Sequence, residues 1–116
     1  WRSISMRVFI EDEAFFVGNM KSGRLYMDLT STVGWEGFPS YAEEFVKLLS
    51  GEILNRSDSV DVRVWEVTLR GLHLRLVYED FPVMISLESQ SEEGDDLIEA
   101  LRNTIMKEIE LSTRKG

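Results

Sequence analysis

The densest group of chemically active side chains in this sequence is an acidic block between residues 88 and 99. It consists of Glu88, Glu92, Glu93, Asp95, Asp96 and Glu99, with no base between them. Carboxylates in such a block can cap the start of a helix, attract a basic protein partner or bind a metal ion. The block lacks the regular D-x-D-x-D-G pattern and distal glutamate of a calcium-binding loop, so we predict no metal site.

The sequence alone does not decide between the two other interpretations of the acidic block. Acids near a helix N-terminus interact favourably with the macrodipole and with open backbone N–H groups, which explains part of the block. The other interpretation is a surface patch for a basic partner. Glu92, Glu93, Asp95 and Asp96 are the charges that we expect to contact such a partner.

A second candidate is the glycine-punctuated stretch from Val33 to Pro39, which carries Trp35 and Phe38. Aromatic side chains exposed on loops are frequent at binding hot spots, so these two residues are candidate apolar anchors for a partner. The alternative is that both tuck under the following helix and seal the edge of the core. A domain of this size has few other ways to close its edges.

The single histidine, His73, is the obvious candidate for a general base. The predicted strand register would place Ser86 opposite it, so a Ser-His pair is conceivable. However, the sequence has no G-x-S-x-G nucleophile elbow and no glycine-rich phosphate-binding motif. A lone histidine cannot build a metal site either. We therefore predict a protein that is not an enzyme and uses no cofactor.

The elements that must position these residues centre on a β-meander from Val60 to Leu87. Apolar residues fall at every second position from Leu72 to Tyr78 and again from Phe81 to Leu87, which is the pattern of half-buried strands. An Arg70-Gly71 turn gives one register for the first hairpin. That register pairs Leu69 with Leu72, Val67 with Leu74, Trp65 with Leu76 and, on the polar face, Glu66 with Arg75. A phase shift at Trp65 predicts a β-bulge.

The polar face of this meander carries Val64, Val77 and Met84 among its charges. If no helix covers it, this mixed surface is a further candidate for partner binding. An exposed edge strand that accepts an additional strand is another.

The remaining segments complete an α+β fold. We predict strands at Ile4 to Ile10, Ala14 to Val17 and Leu25 to Leu29. A helix follows from Ser40 to Ser50, with a Ser40–Glu43 capping box, and then a polar connector from Ile53 to Ser59. The last helix runs from Asp95 to Leu111. The predicted order is β-β-β-α-β-β-β-α, with a mostly antiparallel sheet and both helices on one face. Residues 1–111 form one domain and residues 112–116 a frayed tail.

Composition narrows the class of partner. The net charge of the 116-residue chain is −8, which disfavours nucleic-acid binding and favours a basic protein partner. The chain has no cysteine and no apolar run long enough to span a membrane, and we predict a cytoplasmic protein that does not bind membranes. It begins with Trp1 rather than methionine, so we expect a processed N-terminus.

Size, acidity, absence of cysteine and the α+β layout give a chain that resembles the small acidic immunity proteins that bacteria encode beside polymorphic or contact-dependent toxins. The stretches Val33 to Phe45 and Phe81 to Ile98 contribute to this likeness. The resemblance implies an inhibitor that covers or adjoins the active site of a toxin, and a basic nuclease toxin suits the charge. The alternative is an effector-dedicated secretion chaperone, although those proteins usually begin with a helix.

Overall fold

The computed structural model of the protein describes residues 6–11 and 13–115. A short 3-10 turn at Met6–Val8 precedes six strands and two helices. The strands are β1 (Phe16–Asn19), β2 (Leu25–Thr30), β3 (Glu52–Asp58), β4 (Val62–Leu69), β5 (Leu72–Asp80) and β6 (Val83–Ser89). The helices are α1 (Phe38–Leu48) and α2 (Glu92–Lys115).

The six strands form one antiparallel sheet in the order β1-β2-β6-β5-β4-β3. α1 packs against β3 and β4, while α2 packs against β2, β5 and β6. Side chains from both helices and from alternate strand positions share one buried core. We call the helix-covered side of the sheet the inner face and the opposite side the outer face. The predicted α+β class is confirmed, but the order is β-β-α-β-β-β-β-α, because α1 follows β2.

The predicted first strand, Ile4 to Ile10, is wrong for the residues that the structure describes, which form the turn at Met6–Val8. Met6 and Ile10 are both buried, and the Ile10 N–H donates to the Met6 carbonyl oxygen at 3.1 Å. Apolar residues four positions apart fit one helical turn as well as a strand, which explains the error. Residues 1–5 of that prediction lie outside the described residues.

A strand takes the place of the polar connector that we predicted from Ile53 to Ser59. β3 lies at the edge of the sheet and pairs with β4 alone. An edge strand needs few apolar side chains, and polar residues on it discourage pairing with other chains. Ile53 packs against the core, whereas Leu54 is 55% exposed. The polar composition of this segment is therefore that of an edge strand.

The β4–β5 hairpin has the predicted register, including the Arg70-Gly71 turn and the pair of Glu66 with Arg75. The two turn residues have positive φ values of 52° and 83°, as two-residue hairpin turns require. The predicted β-bulge at Trp65 is wrong, because β4 alternates without interruption along its length. The inward position that breaks the apolar pattern is Arg63, which is 9% exposed.

Arg63 can occupy a core position because the groups around it compensate its charge. Its Nη1 donates to Asp58 Oδ2 at 3.2 Å, and its Nη2 donates to the Trp35 carbonyl oxygen at 3.3 Å. The guanidinium carbon also lies 3.9 Å from the centre of the Trp35 ring, a cation–π distance. These contacts hold the loop that contains Trp35 against the sheet.

α1 begins at Phe38, with Gly37 as N-cap and no capping side chain, so the predicted capping box of Ser40 and Glu43 is wrong. Pro39 lies in the first turn of the helix instead. Proline is tolerated there because an N–H group in the first turn has no acceptor within the helix, so its absence costs no hydrogen bond. The fixed φ of proline also favours the helical conformation.

α2 is longer at both ends than the predicted helix from Asp95 to Leu111. Residues 112–115, which we predicted as a tail, lie within it, and Gly116 lies outside the described residues. Its buried stripe consists of Leu97, Ile98, Leu101 and Ile105. Neither helix, in the part of the chain that the structure describes, has the length and apolar character needed to cross a membrane.

Candidate functional site

The two predicted aromatic anchors lie at the edge of the core. Phe38 has no exposed surface, and its ring centre lies 4.9 Å from that of Trp65 and 5.8 Å from that of Tyr78. Trp35 is half-buried and contacts Tyr78 edge-to-face at 5.8 Å. A fully buried side chain cannot contact a partner, so Phe38 is a core residue and not the anchor that we predicted. Trp35 seals the core beside it.

The predicted acidic residues separate into two groups at the start of α2. Ser91 Oγ accepts a hydrogen bond from the Gly94 N–H at 3.0 Å, which caps the helix. Glu92, Glu93 and Asp96 are exposed and free to meet a partner.

Asp95 differs from its neighbours because it joins α2 to the start of β2. Its Oδ1 accepts from the Leu25 N–H at 3.0 Å, and its Oδ2 accepts from Arg24 Nη1 at 3.0 Å. The hydrogen bond from the Leu25 N–H is the main reason why the pKa of the Asp95 carboxyl is lowered. The nearby charge of Arg24 adds to this effect. Asp95 is thus a structural residue, although we predicted a partner contact.

Replacing Asp95 with alanine should lower the free energy of unfolding by about 1–3 kcal/mol, because it leaves the Leu25 N–H and the Arg24 guanidinium without their acceptor. The exposed neighbour Asp96 is the matched control, and Asp96→Ala should change stability by less than about 0.5 kcal/mol. Urea unfolding at neutral pH measures both.

The pH dependence of the Asp95→Ala variant gives a second check. A carboxyl whose pKa is lowered in the folded state contributes stability above its unfolded-state pKa, and that contribution is lost as the pH falls through the folded-state value. The difference between wild type and Asp95→Ala should therefore shrink in acid. Equal losses for Asp95→Ala and Asp96→Ala at neutral pH would contradict the structural role.

The acidic and aromatic candidates do not form one patch. β2 starts at Leu25, next to Asp95, and ends at Thr30, from which the chain enters the loop containing Trp35. A six-residue strand spans roughly 20 Å, so the start of α2 and the aromatic loop lie at opposite ends of the sheet.

His73 and Ser86 do not meet, so the predicted pairing is wrong. His73 lies opposite Thr68 on β4. Ser86 lies between Val77 of β5 and Asp28 of β2, and its Oγ donates to Asp28 Oδ1 at 2.6 Å.

His73 contacts a carboxylate instead of a hydroxyl. Its Nε2 bonds to Glu66 Oε1, and Arg75 Nε donates to Glu66 Oε2 at 2.9 Å. Burial opposes ionisation of Glu66, but the hydrogen bonds from His73 and Arg75 outweigh it and lower the pKa of the Glu66 carboxyl. This network binds three outer-face side chains to one another.

A groove with a volume of 390 Å³ lies next to this network, on the outer face between β2 and β6. Its apolar walls are Met20, Tyr26, Pro82 and Met84. Its polar lining consists of Asp28, Glu79, Ser86 and Glu88, with no lysine, arginine or histidine. We call this cavity the outer-face groove. Neither helix covers it, because both pack on the inner face.

The carboxylates of the outer-face groove differ in their partners. Asp28 accepts the hydrogen bond from Ser86. Glu88 is half-buried and has no hydrogen bond or ion pair within the described residues. Its burial raises the pKa of the Glu88 carboxyl, and the charge of Glu79 adds to that effect while Arg75 opposes it. The groove thus holds carboxylates that no basic side chain of its own lining neutralises.

The sequence predicts a mixed outer face but does not predict this groove. We expected Glu88 both on the polar face of the meander and in the acidic block, and in the structure it belongs to β6 and faces outward. The two walls come from strands 58 residues apart, as the bond between Ser86 and Asp28 shows. Period-2 alternation places Tyr26 and Asp28 on one face of β2, but nothing in the sequence pairs that strand with β6.

The His, Asp and Glu side chains of residues 6–11 and 13–115 include no group of three or more that could hold a metal ion.

These features define an α+β domain with an antiparallel sheet that is covered on one face and carries an acidic groove on the other. Residues 15–106, most of the 116-residue chain, match the family model described as "Protein of unknown function (DUF3630)", and the chain belongs to this family. No curated protein and no solved structure matches the chain.

Proposed function

We propose that this protein is a binding domain for a basic protein partner, and that its specific role is to inhibit a toxin as an immunity protein. The observation that carries the proposal is the outer-face groove, which combines three carboxylates with apolar walls and has no base in its lining. Interfaces of this kind obtain affinity from buried apolar contacts and specificity from complementary charge.

A second group of exposed acids lies at the start of α2. β6 leads from Glu88 into α2, where Glu92, Glu93 and Asp96 are exposed. With a net charge of −8, the chain attracts a basic partner over long range. Nuclease toxin domains bind phosphate backbones and are accordingly basic, which makes them suitable partners for such a surface.

The immunity role is tested by producing the chain together with a toxin domain encoded by a neighbouring gene. We expect the toxin to arrest growth of the host cells and co-production of this chain to restore it. Growth that stays arrested, although both proteins are present and folded, would contradict the immunity role.

The charge of the surface is tested by the triple variant Glu92→Lys, Glu93→Lys, Asp96→Lys. Because rim charges mainly steer association, the association rate constant should fall by roughly tenfold or more and its salt dependence should flatten. Stopped-flow measurements between low salt and about 0.5 M salt resolve both effects.

The matched control reverses three exposed acids elsewhere, in the variant Glu13→Lys, Glu36→Lys, Glu44→Lys. It changes the net charge by the same amount, so an equal fall in both variants would assign the effect to net charge alone. A fall confined to the first variant supports a patch at the start of α2.

A second candidate function, an effector-dedicated secretion chaperone, is favoured by the exposed edge strand β3. Its outer edge is free of strand partners in the described part of the chain, and Leu54 is exposed on it. Such an edge can accept an extended segment of a client protein. Chaperones of this class are typically dimers, so a monomer by light scattering would count against this function.

A further inference from the structure

We infer that the outer-face groove binds the side chain of an arginine presented by the basic partner. This inference rests on the proposed function and assigns the groove a specific occupant. The arginine stem would lie along Tyr26 and Met84, and its guanidinium would reach Glu88.

The first argument is the match between the walls and the ligand. Tyr26 and Met84 provide an aromatic and a thioether surface, and the carboxylates of Asp28 and Glu88 line the same groove. An arginine side chain has a long aliphatic stem, which packs on apolar surface, and a planar cation, which stacks on aromatic rings. A lysine ammonium is more strongly hydrated and lacks the planar fork that fits a carboxylate.

The second argument is that the neighbouring arginines form their hydrogen bonds with carboxylates other than Glu88. Arg75, opposite Glu88 on β5, donates its Nε to Glu66. Arg24, at the start of β2, donates to Asp95. Glu88 therefore lacks a hydrogen-bonded cation among the described residues, and a cation from outside would supply one.

The third argument is the effect of Glu88 on the isolated protein. Burial makes the ionised carboxylate less favourable in the folded chain, and the pKa of Glu88 is raised as a result. A residue that lowers stability in the free protein is expected where it is needed for binding. A bound guanidinium would reverse this penalty by pairing with the carboxylate.

The direct test is an NMR titration of the ¹⁵N-labelled protein with N-acetyl-arginine methylamide at millimolar concentrations. The neutral isostere N-acetyl-citrulline methylamide and the lysine analogue serve as comparisons. We expect saturable shifts confined to residues 26, 28, 84, 86 and 88 with the arginine probe. The lysine probe should bind more weakly, and the citrulline probe should cause no saturable shift.

The variant Glu88→Gln keeps the shape of the groove and removes the charge of this carboxylate. We expect it to weaken binding of the arginine probe about tenfold, since a charge-assisted hydrogen bond is lost. Glu36→Gln, at an exposed acid outside the groove, is the matched control and should bind as the wild type does.

The same variant has a predictable effect on stability. A carboxyl with a raised folded-state pKa favours the folded state at low pH, and this advantage is lost as the pH rises through that pKa. Asp28, Arg75 and Glu79 face the group from β2 and β5. Glu88→Gln should therefore raise the melting temperature at neutral pH, with the gain vanishing in acid. The variant should fold, so a loss of binding reports on the groove.

Three outcomes would overturn the inference: equal shifts with the citrulline probe, shifts centred on residues 92–96, or unchanged binding in Glu88→Gln. Any of these combined with normal rescue from a toxin would reject the arginine site and leave the immunity role standing. Binding of arginine in the groove without rescue would instead reject the immunity role and keep the site.

Discussion

Replacing Phe38 with alanine is expected to lower the free energy of unfolding by about 3–5 kcal/mol. Phe38 has no exposed surface and lies between the rings of Trp65 and Tyr78. Removing its ring leaves a cavity beneath the first turn of α1, where the helix meets the sheet. Urea unfolding followed by tryptophan fluorescence and by circular dichroism measures the loss.

Phe81→Ala is the matched control, because it removes the same ring from a side chain that is 86% exposed. Its effect on stability should stay within about 0.5 kcal/mol. This comparison also decides between the two interpretations of the aromatic loop. If Phe38→Ala were as mild as Phe81→Ala, Phe38 would not be a core residue and its role as a partner anchor would return.

Gly51→Ala, which adds a single methyl group, should lower the free energy of unfolding by about 3 kcal/mol or more. A Cβ at Gly51 would lie 1.8 Å from the Thr68 carbonyl oxygen, which belongs to the backbone of β4 and cannot rotate away. The connection after α1 must therefore move off the sheet. Such a shift also strains the hydrogen bond from the Arg70 N–H to the Leu49 carbonyl oxygen, now 3.2 Å.

Gly34→Ala provides the comparison for Gly51→Ala. A Cβ at Gly34 would meet no heavy atom within 4 Å, and its φ is not in the left-handed region. Alanine there should be neutral or slightly stabilising, since it restricts the unfolded chain. Thermal unfolding of the two variants should differ clearly, and equal melting temperatures would show that Gly51 is not a position of close backbone approach.

The meander was predictable because two independent patterns agree on it. Inward apolar residues alternate along β5 and β6, and the Glu66–Arg75 pair fixes the same register across the Arg70-Gly71 turn. Two-residue turns leave one register for a hairpin, so local sequence is sufficient there.

Three features that the sequence did not predict share a physical cause, which is that residues in other elements decide them. β3 has a polar sequence because it lies at an edge, and no local pattern shows that position. Arg63 can face the core because residues in other elements contact its guanidinium. Asp58 and the Trp35 carbonyl oxygen accept hydrogen bonds from it, and the Trp35 ring stacks on it. In the sequence Asp95 cannot be distinguished from its acidic neighbours, because its hydrogen bonds with Leu25 and Arg24 join residues far apart in the chain.

The strand order has a consequence for when the outer-face groove exists. β3 to β6 follow one another in the sheet as in the chain, whereas β2 joins β6 across 58 residues of sequence, as measured at Asp28 and Ser86. Contacts so far apart in sequence are costly to close and tend to form late. A partly folded chain that holds only the β3–β6 meander has one wall of the groove and lacks Tyr26 and Asp28. The groove therefore distinguishes the finished protein from its partly folded forms, and a partner that recognises it engages only completed molecules.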